Sequence, residues 1–182
     1  RFQFYKFAYV GSKYEIYDKK TIGTNPYLSH ETAYQNGSRP ISSQKAGQSI
    51  NLIYMQNYIP YGDYYSPNEY NEYVSGSLIS DEHTTNHFAA YTKGIEYTDK
   101  AVKKFIKQID KINKPITLVF YGDHYPAIID QTQLNKYPVK LHATNYFIYS
   151  NKYAREHGAK SKIKPNQYVS TASFIPMAFE QT

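Results

Sequence analysis

The sequence predicts an α/β fold, and three runs of residues carry that prediction. Ile116-Thr117-Leu118-Val119-Phe120-Tyr121 is a continuous run of apolar, β-branched and aromatic residues, the composition of a central strand covered on both faces. Ahead of it, Phe88, Tyr91, Ile95, Thr98, Val102, Phe105 and Ile109 recur every three or four residues, one stripe along a helix from about Thr85 to Ile112. Beyond it, Asn145-Tyr146-Phe147-Ile148-Tyr149-Ser150 reads as a further strand. Helix, short turn and buried strand make half of a right-handed crossover unit.

The remaining elements follow in chain order. Arg1 to Ala8 reads as a short helix and Tyr14-Glu15-Ile16-Tyr17 as an edge strand. Residues 18–49 are rich in Gly, Ser, Asn, Thr and Pro and read as loop, with one helical turn at Glu31 to Gln35. Ile50-Asn51-Leu52-Ile53-Tyr54-Met55 reads as a second buried strand, followed by a tyrosine-rich loop through Tyr73. Lys93, Glu96, Lys100, Lys103 and Lys107 fall off the apolar stripe of the long helix, and Asn113-Lys114-Pro115 closes it because proline cannot continue a helix. The stretch from Tyr125 to Lys140 reads as irregular, and a short helix is expected around Ser170 to Phe179. A complete doubly wound domain needs more strands than these.

Composition narrows the function classes. A chain of 182 residues with 41% apolar and 20% charged residues fits one globular domain. There are 22 tyrosines and no tryptophan, and the absence of cysteine excludes disulfides, thiol nucleophiles and Cys-ligated zinc. The net charge of +6 suits an anionic partner, but the basic residues are scattered apart from Lys100, Lys103, Lys104 and Lys107, a solvated helix face. No nucleic-acid motif accompanies the charge, so a nucleic-acid partner is not expected. No run reaches the roughly 18 apolar residues of a membrane span. A chain that begins at Arg1 without a methionine reads as a piece of something longer.

The chemistry concentrates after the Ile116–Tyr121 run. Gly122 lets the backbone turn, and Asp123 and His124 then stand side by side at the carboxyl end of a strand, where ligands gather in open α/β sheets. Aspartate and histidine suit manganese, magnesium or zinc, though two ligands do not make a site alone. An isolated Asp-His pair is equally a polar strand-end turn. His83 and His87, spaced i and i+4, lack a carboxylate pattern and read as helix-start polar residues. His30, His142 and His157 read as solvated surface positions, Asp99 as a structural acid, and Asp130 as part of the loop beside the pair.

Tyr-x-Asp at residues 97–99 followed by Thr-Leu-Val-Phe-Tyr-Gly-Asp-His-Tyr-Pro at 117–126 resembles the lipoteichoic acid synthase and sulfatase-like family of the alkaline phosphatase superfamily. Residues 50–61, Ile-Asn-Leu-Ile-Tyr-Met-Gln-Asn-Tyr-Ile-Pro-Tyr, are similar to that family's strand ending in Asn-His-x-Pro, and Arg1 to Tyr17 to its Arg-x-x-x-Tyr-x-x-x-Gly-Phe region. The resemblance covers most of the chain in the right order. It implies an alkaline-phosphatase-like sandwich, a mainly parallel sheet flanked by helices, of which residues 1–182 form the C-terminal part as a single domain. The N-terminal half and a membrane anchor would lie outside the chain.

The function so implied is metal-dependent transfer of sn-glycerol phosphate, from a phosphatidylglycerol-type lipid to a glycan or teichoic acid. The reaction runs through a threonyl intermediate at Mn²⁺ or Mg²⁺, on the extracellular face of a Gram-positive cell membrane. The resemblance makes Asp123 and His124 metal ligands and puts Asn57, Tyr58 and Arg1 on the substrate side. It places the threonine nucleophile and a glutamate ligand upstream, so no catalytic nucleophile is expected in this chain, and the isolated chain is expected to be inert. One departure stands out: Tyr58 occupies the position of the family's histidine. A phenol donates one hydrogen bond to a phosphate but does not exchange protons near neutral pH. That leaves two alternatives, a sulfatase or phosphoesterase of the same superfamily and a non-catalytic binding domain with a degenerate site.

Overall fold

The computed structural model describes residues 20–43, 47, 49–75, 82–128, 131–164 and 167–181. Arg1, the helix and edge strand expected within residues 1–17, and Asp130 lie outside the described residues. Helices and strands alternate as a mixed fold expects. The chain divides into two compact units, Arg1–Phe105 and Ile106–Thr182.

In the first unit, helix α1 spans His30–Ser43, far longer than the single turn expected at Glu31 to Gln35. Ser29 starts it: its Oγ accepts from the Thr32 amide at 3.2 Å and donates to Thr32 Oγ1 at 2.8 Å, an N-cap arrangement, while Glu31 complements the helix dipole. Gly37 and Ser38 look like breakers in the sequence, yet the helix runs through them. Gly37 serves close approach, since a Cβ there would stand 2.6 Å from Leu52 Cδ1.

Residues 50–55 lie outside helix and strand and are not the buried strand expected. Leu52, Tyr54 and Gln56 turn inward while Ile50, Ile53 and Met55 face out, Ile53 being 63% exposed. No strand pairs with them among the described residues, so one face packs and the other is left to solvent.

Helix α2, Glu82–Ile109, contains the boundary between the units and matches the expected helix, but its buried face is rotated. Ala90, Gly94, Ala101, Phe105 and Ile109 are buried, whereas Ile95 is exposed and Lys93 only 9% exposed. Small residues select the face here because they let neighbouring chain come close. Burial of Lys93 is offset by Glu69 and Glu96, which both bond its ammonium, and by the Tyr70 and Tyr97 rings 5.7 and 5.3 Å away. Those two carboxylates raise the Lys93 pKa. Lys100, with Lys93 second, holds Glu96 down at about 2.

In the second unit, β1 (Thr117–Tyr121) pairs antiparallel with β2 (Tyr146–Ser150), Thr117 opposite Ser150 and Tyr121 opposite Tyr146. The cross-strand partners Phe120 and Phe147 stack at 5.1 Å. β1 is half-buried and its last residue exposed, so the described residues do not cover it on both faces as a central strand. The parallel neighbours that a crossover would give it are not among them either. Where irregular chain was expected, two short helices occur, α3 (Gln131–Lys136) and α4 (Pro138–His142), the latter opened by proline at a position that tolerates it. Helix α5 is Lys152–Glu156, and α6, Phe174–Phe179, stands where the last short helix was expected.

Asn151 organises this unit from full burial. The two N–H groups of its Nδ2 reach three carbonyls, those of Ile109, Ile112 and Lys114 at 3.0, 3.2 and 3.0 Å, one hydrogen being shared between two of them. Its Oδ1 accepts from the amides of Ile116 and Ala154, each at 3.1 Å. One side chain therefore satisfies the chain leaving α2, seats the entry to β1 and caps α5.

Candidate metal pair and substrate loop

The strand-end pair sits on a backbone frame. Gly122 leaves β1 with its N–H donating to the Asn145 carbonyl at 3.3 Å and its own carbonyl accepting from Thr144 Oγ1 at 2.6 Å. A Cβ on Gly122 would meet Thr144 Cβ at 3.2 Å, and its φ is not in the left-handed region, so glycine serves close approach here and not an unusual turn. Asp123 and His124 follow, both exposed. Asp123 Oδ1 accepts from the His124 amide at 3.0 Å.

The histidine ring is oriented by a carbonyl. His124 Nδ1 lies 2.8 Å from the Tyr125 oxygen; since a carbonyl only accepts, Nδ1 carries a proton, which in the neutral ring leaves the lone pair on Nε2. That is how metal-binding imidazoles are commonly held, one nitrogen donating to a backbone oxygen while the other faces the ion. Nε2 stands 3.4 Å from Asp123 Oδ2, a spacing that a proton on Nε2 or a shared metal cation would each make attractive. Two ligands each about 2.1 Å from one ion at a tetrahedral angle lie about 3.4 Å apart, so the residues fit a shared divalent ion. They are two of the three or more protein ligands a site needs, and no larger metal-ligating cluster occurs among the described residues.

The second candidate region is built by buried side chains. Met55 to Tyr58 form a turn closed by Tyr58 N–H donating to the Met55 carbonyl at 2.9 Å. Asn57 faces inward: its Nδ2 donates to Thr98 Oγ1 at 2.8 Å, and its Oδ1 is buried without a hydrogen-bond partner, against Gly94. Tyr58 faces out, edge-on to Tyr27 with ring centres 6.4 Å apart, and the Tyr27 hydroxyl donates to the Ile59 carbonyl at 2.8 Å.

Behind this loop lies the residue that sequence reasoning misplaced. His30, read as a solvated surface position, is 4% exposed, packed on Tyr54 with ring centres 4.5 Å apart, and burial lowers its pKa to about 4. Its Nδ1 is 2.7 Å from Thr98 Oγ1. The threonine proton goes to the Gly94 carbonyl at 2.9 Å, so its lone pairs accept from Asn57 Nδ2 and from His30 Nδ1–H. Proton supply and demand balance with neutral His30. Gln56 joins the same cluster: its Oε1 accepts from the His30 amide at 2.7 Å, and its carbonyl accepts from Asn25 Nδ2 at 3.0 Å. The signal available in the sequence was the N-cap Ser29, which makes His30 the first residue of a packed helix.

His83 and His87 lie one turn apart with ring centres 3.9 Å apart and planes tilted by 58°. His142 and His157 are exposed, as expected. Asp123 and His124 belong to the second unit; Asn57, Tyr58 and His30 belong to the first.

A family model described as Sulfatase matches residues 1–182. Among solved structures, the chain is similar to Streptococcus pyogenes phosphoglycerol transferase GacH in complex with sn-glycerol-1-phosphate, at 28% identity with a TM-score of 0.69. The likeness covers 94% of this chain and 41% of the GacH chain, so this chain spans well under half the length of that relative. No curated protein matches.

Proposed function

Since the chain belongs to the sulfatase family of the alkaline phosphatase superfamily, we propose that it is part of a metal-dependent phosphoglycerol transferase. The donor in this reading is a phosphatidylglycerol-type lipid and the acceptor a teichoic acid or glycan, on the outer face of a bacterial membrane. The observation that carries the proposal is the Asp123 Oδ2–His124 Nε2 pair, an oxygen and a nitrogen 3.4 Å apart at a strand end, in a chain similar to a phosphoglycerol transferase. Members of this superfamily are generally metal-dependent. A bound Mn²⁺ or Mg²⁺ would polarise the phosphoryl group and activate the nucleophile, assigned here to a threonine outside these residues.

The chain's own residues have distinct tasks in this reading. Asp123 supplies an anionic oxygen, and His124 a neutral nitrogen whose tautomer is set by the Tyr125 carbonyl. Thr144 holds the Gly122 carbonyl and with it the direction in which the pair points. Tyr58 donates its hydroxyl to the glycerol phosphate, and Asn57, whose amide is committed to Thr98, positions Tyr58. Arg1 contacts the phosphate.

The test is release of glycerol phosphate from phosphatidylglycerol vesicles by the intact protein, with Mn²⁺ titrated and a saccharide acceptor present or absent. Metal-dependent transfer that collapses in Asp123→Asn, together with weakened Mn²⁺ binding, is the expected result. Release that ignores the acceptor would favour the hydrolase alternative. Mn²⁺ affinity unchanged in Asp123→Asn would overturn the assignment of the pair.

A further inference from the structure

Positive charge is divided unevenly between the two units. Residues 106–182 hold ten Lys and Arg against five Asp and Glu, while residues 1–105 hold eleven against ten, so five of the six net charges belong to the second unit. Several of its cations are engaged: Arg155 bonds the Ser150 carbonyl and lies 3.7 Å from Asp110, and Lys152 lies 3.7 Å from Glu156. Lys160, Lys162 and Lys164 differ. They are exposed at alternate positions of one segment outside helix and strand, and no described carboxylate is within ion-pair distance of them.

That segment is fixed beside α6. The Lys160 N–H donates to the Gln181 carbonyl at 3.1 Å, just past the end of the helix. Helix α6 buries Phe174 on Tyr121 and Tyr146, at ring-centre distances of 4.8 and 5.1 Å. It turns Ile175 and Phe179, one helical turn apart, outward at 70% and 73% exposure. Single exposed apolar residues are ordinary; here two stand on one face of a helix whose end is tied to the segment that carries the three lysines. A soluble polyanion would engage the lysines and leave Ile175 and Phe179 in water. A bilayer bearing anionic headgroups satisfies both, with phosphates facing the ammonium groups and the acyl boundary taking the apolar side chains.

We propose that the Lys160–Lys164 segment and the Ile175/Phe179 face of α6 seat the second unit on an anionic phospholipid surface. This surface is separate from the transferase site, and the proposal does not rest on that reading. The chain of residues 1–182 is sedimented with vesicles of phosphatidylcholine alone, or of phosphatidylcholine mixed with phosphatidylserine or with phosphatidylglycerol.

The chain is expected to bind both anionic mixtures equally, to ignore pure phosphatidylcholine, and to dissociate as salt is raised. The combined variant Lys160→Gln, Lys162→Gln, Lys164→Gln should weaken binding about a hundredfold, at about fivefold per lysine. Ile175→Ser with Phe179→Ser should weaken it about tenfold or more while leaving binding to soluble polyphosphate unchanged. Binding to phosphatidylglycerol but not phosphatidylserine would signal headgroup recognition and overturn the proposal. So would wild-type vesicle binding by the Ile175→Ser, Phe179→Ser variant.

Discussion

The loop carrying Tyr58 and the strand end carrying Asp123 and His124 are held in opposite ways. Behind Tyr58 stands a buried side-chain network in which His30, Thr98 and Asn57 each depend on the others for a proton or a lone pair. The Asp-His pair instead stands on main-chain bonds, with Thr144 Oγ1 gripping its turn, and its functional groups face solvent. The first arrangement ties the placement of a candidate substrate residue to the stability of its unit. The second leaves its chemistry free of the fold.

The sharpest way to break this contrast is Asp123→Asn. In the intact protein it should lower transfer about a thousandfold, consistent with loss of a metal ligand, yet move the melting temperature by no more than about 1 °C because the side chain is exposed. A large loss of stability would show that the strand end is also a structural centre.

The next effect should appear only in the first unit. Unfolded His30 takes up a proton near 6.5, whereas folded His30 resists until about 4, so the unfolded state binds more protons between those values. Stability is therefore complete above that window and falls by about 3 kcal/mol as pH drops through it. Hydrogen exchange of α1 amides against pH should show the slope, and His30→Gln should flatten it. An equal slope in β1 would mean the two regions are not separable.

Thr98→Val keeps the shape and removes the hydroxyl, leaving the Gly94 carbonyl and the His30 and Asn57 donors unmatched. The expected cost is about 2 kcal/mol by urea denaturation. Tyr58 would also lose its anchor, so Thr98→Val should raise KM for the lipid donor, whereas a merely structural threonine would leave KM alone. Smallest is Thr144→Val, expected to cost about 1 kcal/mol and to weaken Mn²⁺ binding about tenfold, as supporting residues around metal ligands do.

The same contrast explains what the sequence disclosed. β1, β2 and the course of α2 were legible because their signals are local: β-branched runs, a three-to-four residue stripe, a proline stop. The Asp-His pair was legible because backbone and an adjacent glycine place it. His30 was not, since its burial depends on Thr98 and Tyr54, remote in sequence, and Gly37 disguised the helix it opens. The rotated face of α2 was missed for a related reason. Apolar counting favours Ile95, but Gly94 and Ala101 admit closer neighbours, and Lys93 is buried by Glu69, 24 residues away. The run 50–55 shows the limit of composition: a strand needs a partner, and hydrophobicity does not reveal whether one is adjacent.

Asn151 has a consequence for how this protein ages. Asparagine side chains hydrolyse spontaneously to aspartate, a change that elsewhere only adds a surface charge. At Asn151 the same change would turn a donor facing three carbonyl oxygens into a carboxylate facing them, with no water to soften the repulsion. The arrangement also opposes that chemistry, because a side chain fixed by five hydrogen bonds cannot readily swing into the ring the reaction requires. The joint at the entry to β1 thus protects the atom whose exchange would undo it.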